Sequence, residues 1–274
     1  MTDEIPTARR LVRAAIGFIL FGCAVASLAN ISASDIAFVS VRLVDYHDQQ
    51  ELPVPCSAGL ASGSTVLPHS VSRADLCVTE GTISEIPGTS LFNVDSPKMR
   101  AYVNAKPLHA IEARFTYLGA SSHDIPLGSG TMRRQFGFKL RAQDACNLVY
   151  AMWRIEPESK LVVSVKENPG QHTSAECGNR GYRNIKPQAA TPTPNVRPGD
   201  VHALRAELTM STMKVYIDET LAWQGALGVN AMKWDERVGI RSDNARVQFD
   251  LRIGPIAPEN LHSENCRSEP SDAE

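Results

Sequence analysis

The sequence predicts a predominantly antiparallel β protein that follows an N-terminal export signal. Apolar and polar residues alternate with a period of two in many short segments, which is typical of half-buried strands. Beyond the N-terminal segment, no stretch combines a sustained helical period with start and stop caps. With 274 residues, 43% of them hydrophobic, the chain can bury a core, and β-sandwiches often fold as single units of roughly 200–250 residues. We expect one domain at 34–257, preceded by segment 1–33 and followed by a fraying polar tail at 258–274.

The N-terminal segment has the layout of a secretory signal. Three arginines within the first 13 residues precede an uncharged run over 14–34. Cleavage after Ala29, lipidation of Cys23 behind the lipobox-like letters LFG, and retention as a membrane anchor are alternatives, since a span needs about 20 apolar residues. The expected location is the cell envelope, as a periplasmic, anchored or lipid-modified protein, or the medium, as a secreted one. Membrane contact is expected only through this segment.

The first half of the domain contains strands of unequal clarity. Alternation is visible at 36–44 and again at 111–118. The region 45–110 is rich in proline and glycine, which predicts short strands and long connections there.

A more regular pattern begins at residue 136. Segments 136–141, 148–155 and 161–166 are separated by turn residues and predict a three-stranded meander. Polar segment 170–199, which contains the letters TPTP, predicts a long loop with extended Pro-rich backbone.

The C-terminal part shows the clearest alternation. It lies at 204–208, 213–217 and 247–253, and it predicts three strands of one sheet system.

Cysteine usage agrees with export, since none of the cysteines has the spacing of a zinc site. Sequence order suggests that Cys56 pairs with Cys77 and Cys146 with Cys177, which leaves Cys266 without a partner. Free buried thiols are the alternative.

The letters LRAELTMSTMKVYIDETLAWQGAL, followed by VGIRSDNARVQFDL, resemble the closing strands of concanavalin A-like lectin/glucanase jelly rolls. The resemblance covers residues of about 201–253 and is strongest to laminin-G-like and bacterial keto-disaccharide-hydrolase-like modules. The turn Asp218-Glu219-Thr220 lacks the glycine that such hairpins often carry. The resemblance implies an antiparallel two-sheet sandwich with a saccharide-facing sheet, used for binding or for glycan cleavage.

A polar segment near the end of the domain is a candidate ligand site. Arg241, Asp243 and Asn244 lie in a predicted turn, where their donors and carboxylate could hold sugar hydroxyls or a calcium ion. An Asx turn that only joins two strands explains the same residues. No motif supports calcium, and we assign no cofactor or metal ligand.

Two further groups of residues are candidates for saccharide contact. Arg133 and Arg134 could grip an acidic sugar bidentately, or they could be solvated charges on a strand edge. Trp153, Trp223 and Tyr216 fall in strand or strand-edge patterns and could form an aromatic platform for a pyranose ring, or they could belong to the core.

No catalytic residue can be assigned from the sequence. The paired carboxylates of a glucanase strand, a nucleophile elbow and metal-binding histidine spacings are all absent from the sequence. The net charge of -2 gives no field to attract nucleic acid. We predict a non-catalytic, glycan-binding module whose partner is a saccharide or an envelope protein. An exported glycoside hydrolase or lyase and a structural or adhesion protein of the envelope are the alternatives.

Overall fold

The computed structural model describes residues 67–106, 108–209, 212–234, 237–255, 260 and 266. The predicted signal segment with Cys23, the strand expected at 36–44 and Cys56 lie outside the described residues. The proposed domain boundaries therefore stay a prediction. Within the described ranges, no helix is both long enough and apolar enough to cross a membrane.

The described residues form sixteen strands in two antiparallel sheets, and the predicted two-sheet sandwich is confirmed. The strands are β1 His69–Ser70, β2 Leu76–Glu80, β3 Ser84–Glu85, β4 Phe92–Val94, β5 Lys98–Val103, β6 Ala110–Ala120, β7 Arg134–Leu140, β8 Leu148–Glu156, β9 Lys160–Lys166, β10 Tyr182–Asn184, β11 Ala189–Ala190, β12 Val201–Leu208, β13 Thr212–Ile217, β14 Thr220–Ala226, β15 Val238–Asp243 and β16 Ala245–Ile253. The short helices are α1 at Ser174–Cys177 and two 3₁₀ turns at Arg73–Asp75 and Ala231–Lys233.

The two sheets use the strands in different orders. The nine-stranded sheet has the order β11-β14-β13-β12-β6-β16-β4-β3, with β1 also paired to β16. The seven-stranded sheet has the order β10-β9-β8-β7-β15-β5-β2. The predicted meander is confirmed as β7-β8-β9, and the three C-terminal strands predicted to share a sheet do so as β12, β13 and β16.

The core lies between the sheets and is rich in aromatic side chains. Phe115 of the nine-stranded sheet lies 5.0 Å from Phe136 and 5.6 Å from Trp153 of the seven-stranded sheet, measured between ring centroids. Phe249 lies 5.2 Å from Phe136. Each of these residues is almost fully buried. Alternation along every central strand therefore sends one set of side chains inward and leaves the other set for the outer faces.

Two predicted loops contain more regular structure than expected. Segment 170–199 contains α1, β10 and β11, and these strands extend one edge of each sheet. Arg241 and Asp243 lie on β15 and not in a turn, so only Asn244 turns the chain into β16. The short strands β10 and β11 could not be predicted, because strands of three residues or fewer contain less than two full alternations of polarity.

One predicted disulfide is confirmed and one is wrong. Cys146 bonds to Cys177, as expected. Cys77 bonds to Cys266, 189 residues away, and not to Cys56. Pairing by sequence order fails here because antiparallel sheets bring distant segments of a chain together.

The hairpin between β13 and β14 uses a two-residue turn without glycine. Asp218 and Glu219 have φ values of 48° and 64°, the left-handed conformation that a tight hairpin turn requires. The Asp218 carboxylate compensates by accepting hydrogen bonds from His202 and the Ala203 backbone amide. Glu219 is exposed, and its 3.5 Å ion pair with Arg205 contributes little to stability.

We expect Glu219→Gly to stabilise the protein by about 1 kcal/mol, because glycine adopts the left-handed conformation without steric cost. The measurement is the free energy of unfolding in urea. Asp218→Gly is the matched control and should give no gain, since it removes two hydrogen bonds from the same turn. Equal gains at both positions would show that the Asp218 carboxylate contributes nothing.

Candidate functional site

An open groove of about 250 Å³ lies on the outer face of the seven-stranded sheet. Its floor and walls come from β7, β8, β9, β10 and β15 and from the loops beside them. The lining residues are Leu127, Gly128, Ser129, Arg133, Gln135, Tyr150, Met152, Arg154, Val162, Ser164, Asn179, Tyr182, Asn184 and Arg241.

Strand alternation explains how these side chains reach one surface. On β8, Tyr150, Met152 and Arg154 face outward, because their neighbours Val149, Ala151 and Trp153 fill the core. Neighbouring strands continue the same face in register.

The cross-strand pairs that continue this face are Ser164 with Tyr150, Val162 with Met152, and Gln135 with Arg154. A small apolar cluster that includes Tyr150 and Met152 lies on this outer face beneath the groove.

One end of the groove has a stacked pair of tyrosines. The rings of Tyr150 and Tyr182 lie 5.9 Å apart with an angle of 24° between their planes. The Arg241 guanidinium lies 4.9 Å from the Tyr150 ring centroid, and the Lys166 amine lies 5.2 Å from that of Tyr182. Tyr182 is 41% exposed, so part of its ring faces solvent. An exposed aromatic face of this kind can bind the apolar face of a sugar ring.

A buried ion cluster at Asp243 fixes the position of Arg241. The Asp243 carboxylate accepts hydrogen bonds from Arg100 at 2.6 Å, Gln135 at 2.6 Å and Arg241 at 2.8 Å. Burial raises the pKa of Asp243, but the two guanidinium charges and the hydrogen bonds outweigh burial and hold the pKa well below its ordinary value. Asp243 is fully buried, so it supports the groove without facing it.

Arg133 and Arg154 are different, because neither has a carboxylate partner among the described residues. Burial lowers the pKa of both guanidinium groups. The Asp243 charge partly opposes this effect at Arg133, and the charge of Arg133 lowers the pKa of Arg154 further. The Arg154 Nε atom is buried without a hydrogen bond in the described part of the chain. The groove therefore contains two cationic side chains that form no ion pair among the described residues, and Asp243 compensates only part of the charge at Arg133.

Arg134 points away from the groove, although its neighbour Arg133 lines it. Arg134 forms ion pairs with Asp124 and Glu156 at a neighbouring cavity of about 140 Å³, which Arg133 also lines. Glu156 also accepts a 2.6 Å hydrogen bond from the Tyr117 hydroxyl of the opposite sheet. This cluster links the two sheets, and both of its carboxylates bind the same guanidinium group.

The two candidate tryptophans belong to the core, so the prediction that they form an aromatic platform for a pyranose ring is wrong. Trp153 is fully buried and Trp223 is 3% exposed. The Trp153 indole donates to Ser159 at 3.0 Å. Both face inward because they occupy the same alternating positions as the buried residues on their strands. The candidate Asn244 is buried, and its side chain donates to the backbone carbonyls of Ile125 and Arg133.

Sequence reasoning missed Tyr150, Arg154 and Tyr182. Alternation within 148–155 separates Tyr150 and Arg154 from Trp153, but it does not show which set faces the core when both sets contain large apolar residues. Tyr182 lies on the three-residue strand β10, inside a segment predicted to be a loop.

The groove offers no pair of acidic groups for glycoside hydrolysis. None of the lining residues is Asp, Glu or His, whereas hydrolysis needs two carboxyl groups that flank the glycosidic bond. Within the described ranges, no three His, Cys, Asp or Glu side chains lie close enough to hold a metal ion. Both Asp243 oxygens accept hydrogen bonds from arginine or glutamine donors, which are poor surroundings for the calcium ion considered from the sequence.

No protein-family model and no curated protein matches the chain. Among solved structures, it is similar to the carbohydrate-binding module CBM66 from Bacillus subtilis, with 15% identity and a TM-score of 0.45 over 65% of this chain and 93% of that one. It is similar to congerin II with lactose and MES, with 12% identity and a TM-score of 0.38 over 57% of this chain and 99% of that one. It is also similar to the carbohydrate recognition domain of Emp46p in metal-free form, with 11% identity and a TM-score of 0.40 over 67% of this chain and 90% of that one.

Proposed function

We propose that this chain is an exported, non-catalytic module that binds a saccharide in the groove on its seven-stranded sheet. The observation that carries the proposal is the exposed Tyr182 ring, stacked on Tyr150 beside polar groups of β7, β9 and β10. Sugars present apolar ring faces and hydroxyl edges, and binding sites for them combine aromatic faces with fixed hydrogen-bonding groups. Gln135, Ser164 and Asn184 provide such groups beside the tyrosines.

Two features support the export and binding parts of this proposal. The two disulfides fit an oxidising compartment, which is the environment of exported proteins. The absence of carboxylates from the lining residues favours binding over hydrolysis.

We expect Tyr182→Ala to weaken saccharide binding by at least about tenfold, since truncation removes an aromatic contact worth about 1–3 kcal/mol. A glycan array would identify a ligand, and calorimetry would measure the affinity. The matched control is Tyr216→Ala, which removes a tyrosine that contacts Arg205 on the outer face of the other sheet. If Tyr216→Ala lowers the affinity and Tyr182→Ala does not, the site lies on the other sheet. A glycan array without any binder would contradict the function itself.

A lyase is the second candidate, because Tyr150 and the cationic arginines share one groove. Elimination from an acidic saccharide needs cationic or polar groups near the sugar carboxylate and a base near the adjacent proton. Incubation with acidic polysaccharides, followed by detection of unsaturated sugar ends, tests this candidate. Product formation that stops in Tyr150→Phe would favour the enzyme over the binding module.

A further inference from the structure

We infer that the saccharide bound in the groove is acidic, and that Arg133 and Arg154 hold its anionic group. The inference rests on the proposed function and adds the chemical class of the ligand. The anionic group is a carboxylate or a sulfate ester, since both present oxygens that a guanidinium group can hold bidentately.

The charges in the groove support an anionic ligand. Three arginines line the groove and no carboxylate does. Arg241 is neutralised from below by Asp243, which it shares with Arg100. The cationic charge that faces the groove therefore comes mainly from Arg133 and Arg154.

Arg133 and Arg154 are half-buried, so their guanidinium groups lose part of their hydration. The charge of Arg133 also repels that of Arg154, and Asp243 offsets part of the cost at Arg133. Arginine stays protonated at any physiological pH, so the protein cannot relieve this repulsion by losing a proton. An anion between the two side chains would supply negative charge beside Arg154, whose Nε atom is buried and has no hydrogen-bond partner among the described residues.

The register of the strands indicates a ligand longer than one sugar. The Tyr182 ring stacks on that of Tyr150. Arg154 lies four residues beyond Tyr150 on β8, which at about 3.4 Å per residue is ~14 Å. The distance between the aromatic end and the cationic end is therefore longer than one pyranose ring. An acidic oligosaccharide can contact both ends at once.

The test is calorimetry on the full chain with three size-matched sets of probes: neutral hexose oligomers, hexuronate oligomers and sulfated oligomers. We expect at least one acidic set to bind about tenfold or more tightly than the neutral set, with affinity that falls as salt is added. Arg133→Gln and Arg154→Gln should each lower affinity for the acidic ligand by about tenfold, the effect of losing one charged hydrogen bond. Arg114→Gln, on the exposed outer face of the other sheet, is the matched control and should change nothing.

Conservative variants separate the role of charge from that of folding. Arg154→Lys keeps the cation and loses the planar fork, so it should retain part of the affinity that Arg154→Gln loses. Preference for uronates or for sulfated oligomers identifies the anion, and either preference supports the inference.

Two results would overturn the inference and distinguish it from the proposed function. Neutral oligomers that bind as tightly as acidic ones, with no effect of the arginine variants but a loss in Tyr182→Ala, would leave the binding function standing and remove the acidic class. The absence of binding by all three sets and by a wider glycan array would remove both.

Discussion

Asp243→Asn is expected to lower the free energy of unfolding by about 3–5 kcal/mol, the usual cost of removing one partner from a buried ion pair. The Asp243 carboxylate is the counter-charge for Arg100 and Arg241, and it is fully buried. Asparagine has nearly the same shape but no charge, so Arg241 would remain buried without its counter-charge and Arg100 would keep only Glu80, at 3.8 Å. The loss should also free Arg241 from its fixed position above Tyr150.

Denaturant unfolding of the wild type and the variant measures this effect. The matched control is Asp250→Asn, a carboxylate of β16 that accepts only a 3.4 Å backbone hydrogen bond from Arg114 among the described contacts. Its expected effect is within about 0.5 kcal/mol of zero. Adding Arg100→Met to Asp243→Asn should recover part of the stability, because one of the two buried cations that lost the Asp243 charge is removed. Equal stability of the wild type and Asp243→Asn would show that water or another group neutralises the arginines.

The same cluster predicts a dependence of stability on pH. The native pKa of Asp243 lies well below its ordinary value, because Arg100 and Arg241 outweigh the effect of burial. A carboxyl with a lowered native pKa stabilises the fold fully above its unfolded pKa of about 3.9, and this stabilisation falls as the pH drops towards the native pKa. The difference in stability between wild type and Asp243→Asn should therefore shrink below about pH 4.

The sequence predicted the scaffold better than the site. Periodicity located β6, β8 and β16 to within two residues, because each is long and alternates over at least four pairs. The face of β8 that lines the groove could not be predicted, since Tyr150 and Met152 on one side and Val149 and Trp153 on the other are all apolar or aromatic. Only the position of the second sheet decides which set is buried.

Contacts made in three dimensions account for the remaining differences. The partner of Cys77 and the ion cluster at Asp243 both join segments more than 100 residues apart. No spacing rule predicts such contacts, because they depend on the order of strands in a sheet. Of the arginine pair at 133 and 134, the residue on β7 turns to Glu156 and the residue before it lines the groove. The sequence alone presents them as equivalent.

The disulfide between Cys146 and Cys177 connects the stability of the fold to the groove. Cys177 ends α1, and the chain beyond it supplies Asn179, Tyr182 and Asn184 to the groove. Both sulfurs are buried. We expect Cys146→Ala with Cys177→Ala to lower the free energy of unfolding by about 3–4 kcal/mol, from the entropy that a loop of this length restores to the unfolded chain. Saccharide affinity should fall as well, because the segment that holds Tyr182 loses its covalent attachment.

The second disulfide provides the control for this link. Cys77 lies on β2, at the opposite edge of the seven-stranded sheet from β10. Cys77→Ala with Cys266→Ala should therefore lower stability without changing the affinity of the folded protein for its saccharide. Unfolding in urea and calorimetry at a temperature where both variants are folded measure the two quantities separately. Unchanged affinity in the Cys146 and Cys177 variant would show that the pairing of β10 with β9 alone positions Tyr182, since that pairing gives the segment three residues of register with β9.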